Sequence, residues 1–184
     1  SPTENLGRVA ERLGRHISEV TAIILDRERH QELIAEVREA GARIRLIRDG
    51  DVSGAIAAAV PGNSIDILLG TGGAPEGVLA AAALKALGGA MQGRMVWRSE
   101  HERNRAIEMG IGDPDRTFGL EDLVKGDCVF VASGVTDGDF LKGVKFQAKA
   151  ARTHSVVMRS ESGTVRWVET EHDFTRGHGR TYMA

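Results

Sequence analysis

The first half of the chain alternates short apolar runs with segments that carry apolar residues at helical spacing. Continuous apolar runs bounded by polar residues are typical of strands buried on both faces, and apolar residues three and four positions apart are typical of a helix face. This alternation, with short connections, favours a mostly parallel sheet flanked by helices. The predicted strands span residues 20–25, 43–47, 64–69, 91–97 and 129–132. Five helices are predicted. The first three have apolar faces formed by Leu6, Val9 and Leu13, by Leu33, Ile34, Val37 and Ala40, and by Val52, Ile56 and Val60; the last two span residues 78–87 and 101–109.

The last third of the chain has a different pattern. Residues 145–160 and 164–171 alternate polar and apolar positions and are joined near Gly163, which predicts an antiparallel hairpin. We therefore expect an α/β fold, a mostly parallel sheet flanked by helices with a C-terminal antiparallel hairpin, as one domain over residues 1–173. Residues 174–184 are polar and glycine-rich, and they are predicted to form a flexible tail.

Composition limits the classes of partner and the cellular compartment that we expect for this chain. A net charge of −2 over 184 residues gives no electrostatic reason to expect nucleic acid or an anionic membrane surface as a partner. Cys128 is the only cysteine, so no intrachain disulfide is possible, which fits a reducing cytoplasm. No apolar run approaches the roughly 20 residues that span a bilayer. The chain begins at Ser1 with neither an initiator Met nor a signal peptide, and we expect it to be a piece of a longer one.

Polar clusters follow four of the predicted strands. Ligands of open α/β sheets bind at the carboxyl ends of the strands, near the point where the strand order reverses. If these strands are parallel, all four clusters lie at one edge of the sheet. The clusters are residues 26–30, 49–51, 70–76 and 136–139.

The third cluster is a glycine-rich turn between a predicted strand and a predicted helix, with glycines at 70, 72 and 73. Glycine permits positive φ and close approach of the backbone to a ligand. Pro75 fits the first helical position, and free N–H groups at a helix start attract anions. Glu76 adds a carboxylate that can hold a cation. The turn lacks both the Gly-Lys-Ser/Thr ending of a P-loop and the third glycine of a dinucleotide fingerprint; a tight turn without a ligand is the alternative.

The two clusters before it allow two interpretations each. Arg27 and Arg29 can present guanidinium groups to a phosphate, or they belong to a solvated first helical turn. Asp49 and Asp51 flank a glycine and can accept hydrogen bonds from sugar hydroxyls or bind a metal, or they cap the helix that follows.

The remaining candidates are weaker. Asp137 and Asp139 repeat the Asp-Gly-Asp pattern, for which we favour a turn. His30 and His154 have no partner at metal-ligand spacing, so both are predicted to be structural. No arrangement of serine or cysteine with histidine indicates a nucleophile.

Three segments closely resemble class II fructose-1,6-bisphosphatases, and later segments agree in order and spacing over nearly the whole chain. The segments are Leu25-Asp26-Arg27-Glu28-Arg29-His30, Arg48-Asp49-Gly50-Asp51-Val52 and Gly72-Gly73-Ala74-Pro75-Glu76-Gly77, followed by residues 121–124, 133–144 and 153–159.

This resemblance implies a lithium-sensitive, metal-dependent sugar-phosphatase fold, a layered α/β sandwich. The implied reaction removes the 1-phosphate of fructose 1,6-bisphosphate with Mg²⁺ or Mn²⁺, and some members resemble sedoheptulose-1,7-bisphosphatases. The implied metal ligand is Glu76, and the implied substrate contacts are Arg27, Glu28, Arg29, Asp49, Gly50, Asp51 and Gly73.

The resemblance is to the C-terminal part of the family. Further Asp and Glu ligands and an Asp-Pro-Ile-Asp-Gly-Thr-like segment belong to the family's N-terminal part and do not occur in this sequence. We therefore expect the 184-residue chain alone to be inactive or nearly so, and the catalytic acids to lie outside it. The expected partners are the two sugar bisphosphates, the missing N-terminal part and further copies of the enzyme. The alternatives are a non-catalytic sugar-phosphate-binding module and another metal phosphatase, acting on inositol phosphates or nucleotides.

Overall fold

The computed structural model of the chain describes residues 1–138 and 140–176. Asp139 and residues 177–184 lie outside the described residues, and with them one member of the second Asp-Gly-Asp pattern and most of the predicted tail. The helices are α1 (Pro2–Leu13), α2 (Gln31–Glu39), α3 (Asp51–Ala59), α4 (Ala74–Leu87), α5 (Glu100–Glu108) and α6 (Leu120–Leu123); the strands are β1 (Thr21–Leu25), β2 (Arg43–Ile47), β3 (Ile67–Leu68), β4 (Gln92–Gly93), β5 (Phe118–Gly119), β6 (Val129–Ser133), β7 (Lys145–Gln147), β8 (Ala150–Arg159) and β9 (Thr164–Asp173).

A parallel sheet with the strand order β2–β1–β3 forms the first half of the fold, as the sequence predicts. In this register Ile23 of β1 lies between Arg45 of β2 and Leu68 of β3. The central strand β1 is buried on both faces, which explains its uninterrupted apolar run. Ala22 and Ile24 pack under α1 and α2, and Ile23 packs on the opposite face against α3.

An antiparallel sheet forms the second half. The long strand β8 pairs with β9 over its whole length on one side, and with β6 and β7 on the other. The predicted hairpin is therefore confirmed, although residues 145–147 form a strand of their own instead of extending β8. The predicted strand at 129–132 is present as β6, but it runs antiparallel to β8 and does not join the parallel sheet.

The prediction of a strand over residues 91–97 is wrong for most of its length. Only Gln92 and Gly93 are extended, and they pair with β5 in a short antiparallel ladder. The chain then leaves the body of the fold and returns at β5. Met95, Val96 and Trp97 line a groove beside α5, where Met95 and Trp97 are partly buried without a neighbouring strand and Val96 is exposed. We call residues 94–117 the α5 arm.

The elements stack as four layers. Helices α1 and α2 cover one face of the parallel sheet, α3 and α4 lie between the two sheets, and the antiparallel sheet is the fourth layer. Ile56 of α3, Ala83 of α4 and Met158 of β8 meet in the core between the helix layer and the second sheet. None of the helices in the described ranges combines the length and the apolar character that crossing a bilayer requires.

Candidate functional site

The strand order places a natural binding edge between β1 and β3. After β1 the chain continues to β2 on one side, while β3 lies on the other, so the connections at their carboxyl ends diverge and leave a crevice. Arg29 follows β1 and reaches across this crevice, because its Nε donates a hydrogen bond of 2.8 Å to the carbonyl oxygen of Thr71. The arginine segment and the glycine turn, separated by about forty residues in sequence, therefore meet.

His30 links the connection after β1 to the glycine turn after β3. Its side chain is buried, with Nδ1 2.8 Å from the carbonyl oxygen of Leu25 and Nε2 2.9 Å from the backbone nitrogen of Thr71. Nδ1 faces a carbonyl and therefore donates, whereas Nε2 faces both the N–H and, at 3.1 Å, the carbonyl oxygen of Thr71. The prediction that His30 is structural is confirmed. What the sequence analysis missed is that it positions the glycine turn; its place directly after Arg29 was the available signal.

The turn requires glycines because neighbouring side chains lie close to its backbone, and not because its residues adopt a positive φ. None of Gly70, Gly72 and Gly73 has a positive φ, so that expectation is wrong. A Cβ on Gly70 would lie 3.3 Å from the His30 ring, and one on Gly72 would lie 2.9 Å from Oδ2 of Asp51. A Cβ on Gly73 would overlap the carboxylate of Glu76. The turn is glycine-rich because side chains of the site occupy the space beside its backbone.

The Asp49–Asp51 segment forms the start of α3, and its role toward a sugar or a metal stays a prediction. Gly50 adopts a φ of 83° and caps α3, and Asp51 is the first residue of that helix. Oδ1 of Asp51 accepts a hydrogen bond of 3.0 Å from the backbone of Val52, which supports the helix start. Its other oxygen lies beside Gly72, so the same carboxylate reaches the glycine turn. Asp49 is exposed in the connection after β2.

The start of α4 is open to solvent. Gly73 is the N-cap residue, and its extended backbone (φ −72°, ψ 147°) offers no side chain to cap the helix. Ala74 and Pro75 are the first two helical residues, so Pro75 stands one position later than predicted. Glu76 follows in the first turn, and residues 71–76 are all exposed. Uncapped N–H groups and the positive end of the helix dipole therefore face solvent beside the Glu76 carboxylate.

Arg27 and Glu28 lie in the connection after β1. Nη1 of Arg27 donates to the carbonyl oxygen of Asp26 at 3.3 Å, and Glu28 begins a single 3₁₀ turn that ends at His30. Both side chains are exposed. Arg29, Asp51 and Glu76 thus meet around the glycine turn, while Arg27, Glu28 and Asp49 share the edge without a hydrogen bond to the turn within the described ranges.

The fourth predicted cluster does not reach this edge through strand parallelism, because the strand before it, β6, belongs to the antiparallel sheet. Asp137 instead closes its own loop: Oδ1 accepts the Gly143 N–H at 2.9 Å, and Oδ2 pairs with Lys145. The hydrogen bond from Lys145 lowers the pKa of Asp137, with a further contribution from the Gly143 N–H. For Asp137 the interpretation as a turn residue is confirmed.

Whether this edge of the sheet can hold a metal ion depends on which ligand side chains lie near Glu76. Mg²⁺ takes six oxygen ligands in near-octahedral geometry. Over residues 1–138 and 140–176, no three side chains among histidine, cysteine, aspartate and glutamate come together in a way that would hold a metal ion. The Glu76 carboxylate does not fit such an ion alone, so the described residues do not form a complete metal site.

Comparisons with known proteins identify the family of the chain. A family model described as bacterial fructose-1,6-bisphosphatase, glpX-encoded, matches residues 1–172. A relative from Microcystis aeruginosa is 47% identical over 96% of this chain and 55% of its own length. Relatives from Trichodesmium erythraeum and Synechococcus are both 44% identical, over 95% and 93% of this chain and 54% and 53% of their own lengths. All three carry the name D-fructose 1,6-bisphosphatase class 2/sedoheptulose 1,7-bisphosphatase. The chain spans about half the length of these curated relatives.

Proposed function

The chain belongs to the family of bacterial, glpX-encoded fructose-1,6-bisphosphatases, and from that premise we propose that it carries the sugar-phosphate half of a class II enzyme's active site. The proposed reaction is hydrolysis of the 1-phosphate of fructose 1,6-bisphosphate in cytoplasmic carbohydrate metabolism, with sedoheptulose 1,7-bisphosphate as a second substrate. The observation that carries the proposal is the meeting of Arg29, Asp51 and Glu76 around one glycine turn.

Each group at the edge has chemistry that suits a phosphorylated sugar. Arg27 and Arg29 would bind phosphate oxygens, because a guanidinium presents paired N–H donors that match them. Arg29 donates from Nε to Thr71, which leaves its terminal nitrogens for the ligand. Asp49 and Asp51 would accept hydrogen bonds from sugar hydroxyls, and Gly73 lets the ligand approach the uncapped start of α4. Glu28 and Gly50 complete the proposed substrate contacts.

Glu76 is proposed to supply one ligand to Mg²⁺ or Mn²⁺. Because the described residues do not form a complete metal site, the other ligands in this proposal come from outside the chain. It follows that the 184-residue chain by itself binds the sugar bisphosphate but turns it over slowly or not at all. In the full enzyme the N-terminal part would bring the missing acids, and the whole enzyme is proposed to form homo-oligomers.

A second candidate function is a non-catalytic module that binds sugar phosphates. The lack of a complete metal site among the described residues favours it. The two candidate functions predict different effects of adding an acid-bearing N-terminal part. The enzyme would gain phosphatase activity, and the binding module would not.

Calorimetric titration of the chain with fructose 1,6-bisphosphate, with and without Mn²⁺, tests the binding proposal. Arg29→Gln is expected to weaken binding at least tenfold, since it removes a charged donor from the phosphate. Arg38→Gln is the matched control, because Arg38 is an exposed arginine on α2, away from the glycine turn. Equal affinity of the two variants, or no binding by the unmodified chain, would contradict the proposed site.

A phosphate-release assay separates the two candidates. The chain alone with Mn²⁺ is expected to be inactive or nearly so, and rapid turnover by it would overturn the proposed division of the active site. In a full-length enzyme that contains this chain, Glu76→Gln should abolish activity while the circular dichroism spectrum and melting temperature stay unchanged. Undiminished activity of that variant would remove the metal role of Glu76.

A further inference from the structure

The α5 arm stands apart from the rest of the fold. It leaves the body at β4 and returns at β5, and no other helix or strand of the described residues packs along α5. The arm is held together mainly by its own contacts: Nε of Arg103 donates to Oδ2 of Asp115 at 3.1 Å, and Nε1 of Trp97 donates to Oδ1 of the same carboxylate at 3.1 Å. Ser99 caps the start of α5. The arm is therefore an ordered projection and has a surface of its own.

One side of the arm is an apolar groove of about 350 Å³. Val96 is 67% exposed and Met109, the C-cap residue of α5, is 79% exposed, which is unusual for large apolar side chains that line one groove. The groove does not belong to the candidate sugar-phosphate site, which lies at the carboxyl ends of β1 and β3. Its apolar lining consists of Met95, Val96, Trp97, Ala106, Met109 and Ile111.

The charges beside the groove indicate what covers it. Glu102 and Arg105 line the groove from the same side of α5, three positions apart. Arg105 has no hydrogen bond or ion pair from its side chain to any of the described residues, and Glu102 uses only Oε2, which accepts the Arg98 N–H at 3.0 Å. An acid and a base at this spacing are self-complementary: when two copies of α5 pack antiparallel about a two-fold axis between these residues, each glutamate faces the other copy's arginine.

We propose that the α5 groove is a self-association surface, occupied by the α5 arm of a second copy of this chain. The twofold arrangement forms two Glu102–Arg105 ion pairs between the copies and covers both sets of apolar residues at once. The ion pairs fix the antiparallel direction and the register, since a parallel arrangement would set like charges against each other. A helix of nine residues provides a small contact, so the association is expected to be weak and dependent on concentration. This inference is independent of the proposed enzymatic function.

Charge reversal gives the test. Sedimentation velocity of the 184-residue chain over a wide range of concentration should show a monomer–dimer equilibrium. Glu102→Arg and Arg105→Glu should each weaken the dimer at least tenfold, which corresponds to about 1.4 kcal/mol. The double variant E102R/R105E should restore the dissociation constant to within about threefold of the original, because the reversed pair is again complementary.

Glu100→Arg is the matched control, since Glu100 lies in the first turn of the same helix but does not line the groove. Its dimer should dissociate as the unmodified one does. In a Trp167→Phe background, the near-ultraviolet signal of Trp97 reports whether the arm stays folded in each variant. A chain that is monomeric at every concentration, single reversals that leave the dimer unchanged, or a double variant as weak as the single ones would each overturn the proposal. The first of these results is also what a groove filled by another part of the same polypeptide would give.

Discussion

His30 is the residue on which the candidate site depends most, although it contacts no substrate in the proposal. Both of its ring nitrogens are used, one toward the end of β1 and one toward the glycine turn. His30 is only 2% exposed, so water cannot easily replace its ring as the hydrogen-bond partner of the two backbone groups. Through this residue, the geometry of the turn is tied to the sheet and not only to the local sequence of the turn.

Replacing His30 with leucine keeps a comparable volume but removes both hydrogen bonds. An unpaired buried polar group costs about 1–3 kcal/mol, so we expect the free energy of unfolding to fall by about that amount or more. The affinity for fructose 1,6-bisphosphate should fall as well, because the turn loses its anchor. Urea denaturation and calorimetry measure the two effects.

The control for this prediction is His101→Leu, at an exposed position of α5. Exposed substitutions usually change the free energy of unfolding by less than about 0.5 kcal/mol. If His30→Leu were as stable as His101→Leu, the hydrogen bonds of His30 would not contribute as the structure implies.

At the scale of elements, α3 packs against the parallel sheet at a glycine, where a larger residue would not fit without a shift. A Cβ on Gly54 would lie 2.8 Å from Cδ1 of Leu68 and 3.3 Å from Cδ1 of Ile47. Glycine inside a helix normally costs stability, so its presence here has a packing reason. Close packing of α3 also sets the position of Asp51 at its first turn, and with it one wall of the candidate site.

Gly54→Ala is therefore expected to destabilise the chain by about 1–2 kcal/mol, since overpacking exceeds the gain in helix propensity. Gly7→Ala in α1 is the matched substitution, because a Cβ there meets nothing within 4 Å. It should stabilise the chain by about 0.5–1 kcal/mol. Thermal or urea unfolding of the two variants should give changes of opposite sign, and changes of the same sign would contradict the packing argument.

The α5 arm leads to a prediction about pH. The hydrogen bond from Arg103 lowers the pKa of Asp115 below its ordinary value of 3.8, and Trp97 contributes in the same direction. A lowered pKa in the folded state means that the carboxylate stabilises the arm above the unfolded pKa. This contribution is lost as the pH falls from 3.8 through the lower, folded pKa.

Tryptophan fluorescence can follow this transition, because Nε1 of Trp97 donates directly to Asp115. In a Trp167→Phe background, emission from Trp97 should change below pH 3.8, and Asp115→Asn should remove that step. Far-ultraviolet circular dichroism run in parallel identifies any global unfolding. A midpoint above 3.8 would contradict the sign of the shift.

At the scale of the whole molecule, no element among residues 1–138 and 140–176 covers the outer face of the antiparallel sheet. The inner face of the antiparallel sheet buries Val156 and Met158 against the α3–α4 layer. On the outer face Val129, Val131 and Phe146 are 58%, 61% and 75% exposed. A sheet normally buries at least one face, and here the alternation along β6 and β8 shows which face that is.

The two faces should respond differently to the same substitution. Val131→Thr on the outer face is expected to change the free energy of unfolding by less than about 0.5 kcal/mol. It should also lower the fluorescence of a bound apolar dye such as anilinonaphthalene sulfonate. Val156→Thr on the inner face should cost about 1–3 kcal/mol, because a buried hydroxyl replaces a methyl group in the core. Similar losses at both positions would mean that the outer face is covered.

The sequence alone determined the kinds of most elements, the family resemblance and the grouping of three polar clusters. The apolar run of β1 and the helical spacing of apolar residues are local patterns, so they can be recognised in the sequence. Parallel strands place their carboxyl ends at one edge of the sheet in any strand order. The Arg29, Asp51 and Glu76 segments could therefore be predicted to share that edge. Their roles toward substrate and metal stay predictions.

Only the tertiary structure decided which strands pair and which side chains touch. The apolar run of β6 fits a parallel sheet as well as an antiparallel one, and its pairing with β8 depends on residues far along the chain. The segment 91–97 has the composition of a strand but no neighbour in the parallel sheet, so Gln92 and Gly93 pair with β5 and residues 94–97 became part of the α5 arm. The anchoring of the glycine turn by His30 depends on a contact across forty-one positions, which no local pattern encodes. Periodicity reports burial along one element, whereas pairing and contact depend on how the elements are arranged in space.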